Sequence, residues 1–95
     1  MLLPVIWSFP AQVSYLETIS FIQELSAALA VRLYDEVDHT VQRIIQFNNV
    51  CPQSARRPKY RRCTLLEGRV SLYYLVKKKR IEIIAVRDNR RKPKY

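Results

Sequence analysis

The sequence predicts an α+β fold of order β-α-α-β-β-β, a two-helix hairpin packed on a mostly antiparallel, twisted sheet. Three observations predict it. Residues 61–88 read as three short apolar runs, separated by Glu67-Gly68 and by Lys77-Lys78-Lys79. Short β-branched and aromatic runs bounded by glycine or charge are strands joined by hairpins. Upstream, apolar residues recur at helical spacing on both sides of Ser26, the mark of two amphipathic helices. Before them Pro4-Val5-Ile6-Trp7 forms a first short strand, with Pro4 tolerable at its start.

Each element carries its own local logic. Ser8 is placed to cap the first helix with Pro10 in its first turn, and the S-x-x-E spacing at Ser14–Glu17 offers a second start. Leu16, Ile19, Ile22 and Leu25 then give its apolar face. Ser26 breaks the pattern and caps a second helix running from Ala27 to about Phe47. Its stripe is Ala30, Leu33, Tyr34, Val37, Val41, Ile44 and Ile45, while charged and polar residues face water. Asparagine and then proline in Asn48-Asn49-Val50-Cys51-Pro52 end the helix, and residues 52–60 form an irregular connection. In the middle strand Tyr73 and Tyr74 point to opposite faces, with Tyr74 in the core and Tyr73 exposed. Ile81, Ile83 and Ala85 alternate with Glu82, Ile84 and Val86, which suits a strand buried on both faces.

Length and composition bound the rest. A chain of 95 residues makes one domain, 1–95, and buries roughly 65% of its unfolded surface without needing staples. No apolar run reaches the roughly 18 residues of a membrane span, and the start lacks the pattern of a cleaved leader, so the cytoplasm is the expected compartment. Cys51 and Cys63, with the distant His39, are too few to ligate a structural metal, and they are expected as two reduced, partly buried thiols. His39 lies one helical turn from Asp35, a spacing suited to a surface ion pair. There is no nucleophile elbow, Gly-rich phosphate loop or metal-ligand cluster, so no cofactor is expected.

Charge is split sharply along the chain. Residues 1–55 hold two arginines against five carboxylates, a balance of −3, whereas residues 56–95 hold fifteen cations against three carboxylates, a balance of +12; together they make the net +9. Such asymmetry calls for a polyanionic partner, either nucleic acid or an acidic protein segment. The candidate residues are Arg56, Arg57, Lys59, Arg61, Arg62 and Arg69, followed by Arg87, Arg90, Arg91, Lys92, Lys94 and Tyr95. In a meander the start of the first strand and the end of the third lie at one end of the sheet, which would gather Arg61, Arg62, Arg87 and the tail. Arginine forks match phosphates, and a neighbouring phenol stacks or exchanges a proton. Lys77, Lys78, Lys79 and Arg80 fall at the opposite hairpin turn and read as a solvated tip.

The whole chain resembles the RelE/ParE superfamily of type II toxin–antitoxin toxins. The resemblance lies in Ile6-Trp7-Ser8 leading into an αα-hairpin, in Arg61-Arg62-Cys63, in Ser71-Leu72-Tyr73-Tyr74, and in Arg87-Asp88-Asn89-Arg90-Arg91-Lys92-Pro93. The last is similar to the ending of the ParE-like branch, whose members are also known as plasmid-stabilisation toxins. It implies a basic toxin held in a hetero-oligomer by an acidic antitoxin, with DNA gyrase or the ribosome and its mRNA as target. ParE-like members poison gyrase; RelE-like members cleave mRNA on the ribosome without metal. On the nuclease pattern Arg61, Arg62, Arg90 and Tyr95 would be catalytic, and Arg56, Arg57, Lys59, Arg87, Arg91, Lys92 and Lys94 would bind the target. Ser71 and Asn89 stand where that pattern has arginines. The alternative from another class is a non-toxic basic module that binds RNA or the ribosome.

Overall fold

The computed structural model describes residues 2–90 and residue 95. Its elements run β1 (Val5–Trp7), α1 (Phe9–Leu25), α2 (Ala27–Gln46), β2 (Arg61–Leu65), β3 (Val70–Val76) and β4 (Ile81–Asp88). The sheet order is β1-β4-β3-β2, with β1 parallel to β4 and both hairpins antiparallel. The two helices cover one face, as expected.

Local chemistry sets the helix ends. The Ser8 hydroxyl accepts from the Ala11 amide at 3.1 Å, and the Ser26 hydroxyl accepts from Leu29 at 3.2 Å. Each satisfies an amide that a helix N-terminus leaves without a partner. Ser14 does not start a helix, because Ser8 already caps one. Its hydroxyl instead accepts from the Val86 amide at 3.1 Å. The Thr18 hydroxyl shares its proton between Ser14 O at 2.8 Å and Val86 O at 2.9 Å. β1 is only three residues long, so β4 runs on past its partner. Ser14 and Thr18 complete the ladder there in place of a strand.

That role fixes which face of α1 is inward. Ala11, Thr18 and Ile22 are buried, with Tyr15 and Ile19 packed against the core, whereas Leu16 and Leu25 of the expected apolar face are exposed. The polar ladder residues rotate the helix away from its most apolar stripe. In α2 the pattern holds better: Ala30, Leu33, Val37 and Ile44 are buried, and Tyr34 is exposed. Leu33, Ile44, Leu72, Ile81, Ile83 and Val86 are among the fully buried side chains, each contributing roughly 1.5–3 kcal/mol of transfer free energy.

The β2–β3 turn takes positive φ at Leu66 (48°), Glu67 (57°) and Gly68 (91°). Two of these are not glycine, so the turn needs an external hold. Glu36 of α2 provides it, accepting the Leu66 amide at 2.8 Å, and Arg32 bridges Glu36 and Glu67 at 2.9 and 2.8 Å. Among the described residues no ion pair joins Asp35 to His39; Arg32–Glu36 is the pair on that helix. At the β3–β4 turn Lys77 and Arg80 close on Glu82 at 3.0 and 2.7 Å, holding its carboxyl below the usual range.

The cysteines are not separate thiols. Cys51 and Cys63 form a disulfide, with Cα atoms 5.3 Å apart. The reason lies in register. Gln53 bridges Arg61 in antiparallel fashion, Arg62 N donates to Pro52 O, and Ser54 N donates to Tyr60 O. Counting outward from that ladder sets Cys51 directly opposite Cys63.

Candidate functional site

Strand alternation sorts the basic residues between the two faces of the sheet. Arg62 pairs with Tyr73, and Arg61 with Tyr74. Tyr74 lies on the helix side, where its hydroxyl donates to Asn48 O at 2.8 Å and accepts from Cys51 N at 3.3 Å. Arg61 donates to Cys51 O at 2.8 Å, which draws it away from its neighbour. Arg62 turns to the other face. The structure therefore does not bring Arg61 and Arg62 together.

On that uncovered face a cleft of about 210 Å³ is lined by Ser54, Ala55, Arg56, Arg62, Tyr73, Arg87, Asp88, Asn89 and Tyr95. β2 contributes Arg62, β3 contributes Tyr73, β4 contributes Arg87, and the 52–60 loop contributes Ser54 and Arg56. Among the described residues none of these three arginines is in an ion pair. Asp88, the one side-chain carboxylate of the lining, is buried and already committed: its Oδ1 accepts the Arg90 amide at 2.9 Å and its Oδ2 lies 3.5 Å from Arg69 Nη2. The cleft thus presents three guanidinium forks to whatever enters it.

Tyr73 was expected to be exposed, but it is 4% exposed. The alternation holds; the cover was unforeseen. Tyr95 packs over it with ring centroids 5.3 Å apart, and Tyr60 meets Tyr95 edge-on at 5.6 Å. The Ser54 hydroxyl fixes Tyr95 by donating to its main-chain oxygen at 3.0 Å. Arg62 Nε donates to the fully buried Ser71 hydroxyl at 2.7 Å, Ser71 donates to Asn89 Oδ1 at 2.8 Å, and Asn89 Nδ2 donates to Gly68 O at 2.7 Å. This chain orients Arg62 and engages the Ser71 hydroxyl and both the oxygen and the nitrogen of the Asn89 amide.

Of the remaining candidates, Arg57, Lys59 and Arg90 lie outside the cleft. Arg90 is exposed and does not line it. Arg57 and Lys59 are exposed on the loop, with Lys59 Nζ 5.1 Å above the Tyr60 ring. Arg91, Lys92 and Lys94 fall outside the described residues. Ser54 and Tyr60 were not foreseen as parts of the site, and Asn89 was noted only as standing where the nuclease pattern has an arginine. A hydroxyl in an irregular loop gives no sequence signal, whereas Asn89 is two residues beyond Arg87, just past the end of β4.

Arginine forks bind phosphate or carboxylate oxygens in bidentate fashion, and the tyrosine rings add stacking surface. At about 210 Å³ the cleft is smaller than a typical small-molecule pocket and has room for a phosphate or carboxylate group.

No family model matches the chain, and no curated protein matches it in sequence. A comparison with solved structures finds the fold. A chain of a structure described as "Chromosomal ParDE TA system from P. aeruginosa" superposes with a TM-score of 0.75 at 19% identity, covering 92% of this chain and 96% of that one. The architecture is thus the RelE/ParE-like α+β fold that the sequence motifs implied.

Proposed function

We propose that this protein is the toxin of a type II toxin–antitoxin pair, neutralised by an acidic antitoxin and acting by binding its target rather than by cleaving RNA. The observation that carries the reading is the fold shared over nearly the full length with a chain of a ParDE system. The +12 half supports it, since an acidic antitoxin segment complements that charge. A gyrase-type target suits the cleft: Ser71 and Asn89 are engaged by each other and by Arg62 and Gly68, and Arg90 lies off to the side. Acting on such a target places the protein in the cytoplasm; among the described residues no helix is long and apolar enough to cross a membrane.

One observation favours a second reading, ribosome-dependent mRNA cleavage: Arg62, Arg87 and Tyr95 line one cleft. There the arginines would hold the phosphate and Tyr95 would act in proton transfer. The test is induced expression with growth monitored, with and without the acidic product of a neighbouring reading frame. Gyrase supercoiling and ribosome-dependent cleavage assays on wild type, Arg62→Ala and Tyr95→Phe follow. Growth arrest relieved by the acidic partner, with supercoiling inhibited, is expected. Cleavage lost in Tyr95→Phe would move the assignment to the nuclease reading. Normal growth with folded, abundant protein would overturn the toxin reading in favour of a non-toxic RNA-binding module.

A further inference from the structure

The disulfide ties one wall of the arginine cleft to the sheet. Cys51 and Cys63 bracket the loop that supplies Ser54, Ala55 and Arg56 to the cleft and Tyr60 to the Tyr95 ring. One main-chain hydrogen bond ties the loop's base to β2, Arg62 N to Pro52 O; Ser54 N to Tyr60 O and Tyr60 N to Arg57 O lie within the loop, and residues 55–59 are exposed. A second cavity, of about 400 Å³, opens against the same loop, and both cysteines lie in its lining together with Arg43, Arg62 and Thr40. A disulfide in the wall of an open cavity that Arg43 also lines suits attack by an anionic thiol. The positive charge concentrates the attacking thiolate and stabilises the cysteine thiolate that leaves.

We propose that Cys51–Cys63 is a redox site, reduced through this cavity by an anionic thiol of the glutathione class, and that reduction frees residues 52–60 from the cleft. A thiolate RS⁻ attacks one cysteine sulfur; the RS–S bond forms, the Cys51–Cys63 bond breaks, and the other cysteine departs as a thiolate. A second RS⁻ attacks the mixed disulfide and leaves as RSSR. Two electrons pass from the two thiols to the protein, and two protons from water complete the cysteine thiols. Cytoplasmic thiols oppose protein disulfides, so the oxidised form marks oxidising conditions. The consequence for target binding rests on the function proposed above; the chemistry and the loop release do not.

Both are read without any toxin assay. The purified full chain is incubated with reduced glutathione or with neutral 2-mercaptoethanol, alkylated with iodoacetamide and quantified by mass spectrometry. Per thiolate, glutathione is expected to react faster, with the advantage lost in Arg43→Gln and at high salt. Trypsin should cleave after Lys59 about tenfold faster in the reduced chain, with its helical circular dichroism unchanged. Cys51→Ser/Cys63→Ser should match the reduced form; if that variant does not fold, the reduced wild type carries the comparison. Equal rates for the two thiols, or equal cleavage of oxidised and reduced chains, would overturn the proposal. If both readouts succeed while growth is normal, the latch stands and the toxin reading falls.

Discussion

Tyr74→Phe isolates one hydroxyl that holds the start of the cleft-bearing loop. The ring is fully buried, and its oxygen links Asn48 O at 2.8 Å to Cys51 N at 3.3 Å. Phenylalanine fills the same space, so packing is kept and two hydrogen bonds are lost. At about 1 kcal/mol per bond the loss comes to about 2 kcal/mol, the more certain because Cys51 is 7% exposed and water reaches its amide poorly. For a chain of this size that is roughly 8–16 °C in Tm, with the urea m-value unchanged. Tyr73→Phe is the control, since its hydroxyl makes no hydrogen bond among the described residues. Thermal melts of the three proteins decide the matter. A Tyr74→Phe melt within about 2 °C of wild type would refute the account, because it would mean neither bond contributes net stability.

Three further outcomes are expected. Burial, then the Tyr34 and Asp38 charges, push the Tyr15 hydroxyl from 10.0 up to about 12. The unfolded chain loses this proton first, so stability is whole below about pH 10 and falls as pH rises toward 12; urea midpoints over that window should fall less steeply in Tyr15→Phe. Gly68→Ala meets no atom within 4 Å but must hold φ at +91°, so it should lower stability by about 1–2 kcal/mol in urea denaturation. Ser14→Ala frees the Val86 amide, whose hydrogen exchange should quicken by about tenfold.

What the sequence made legible was what neighbouring residues decide among themselves. Ser8 and Ser26 mark helix starts because a hydroxyl reaches an amide three residues on, and that chemistry is written in the local chain. Gly68 and the lysine run marked the hairpins for the same reason. The orientation of α1 was not legible, since it depends on Val86, which meets Ser14 and Thr18 only once β4 outruns β1. Nor was the disulfide, which follows from a register between residues 51–54 and 60–63 that no spacing rule supplies. The parting of Arg61 from Arg62 was in principle open to view, because adjacent strand residues point to opposite faces. Treating them as one patch ignored that alternation. Burial of Tyr73 needed Tyr95, twenty-two residues on, to come back over the strand.

The same side chains that orient the elements also settle how the sheet meets other sheets. Exposed strand margins are templates on which a second chain can zip up and aggregate. Beyond Trp7 the margin of β4 is taken by hydroxyls of α1. Along β2, Pro52 occupies the Arg62 amide and Glu36 that of Leu66, which leaves Thr64 between them as the one outward-facing position of that alternation. With the β2 margin blunted by loop and helix, and β1 at the opposite margin only three residues long, this small, apolar-rich chain offers a polymerising neighbour little main-chain foothold.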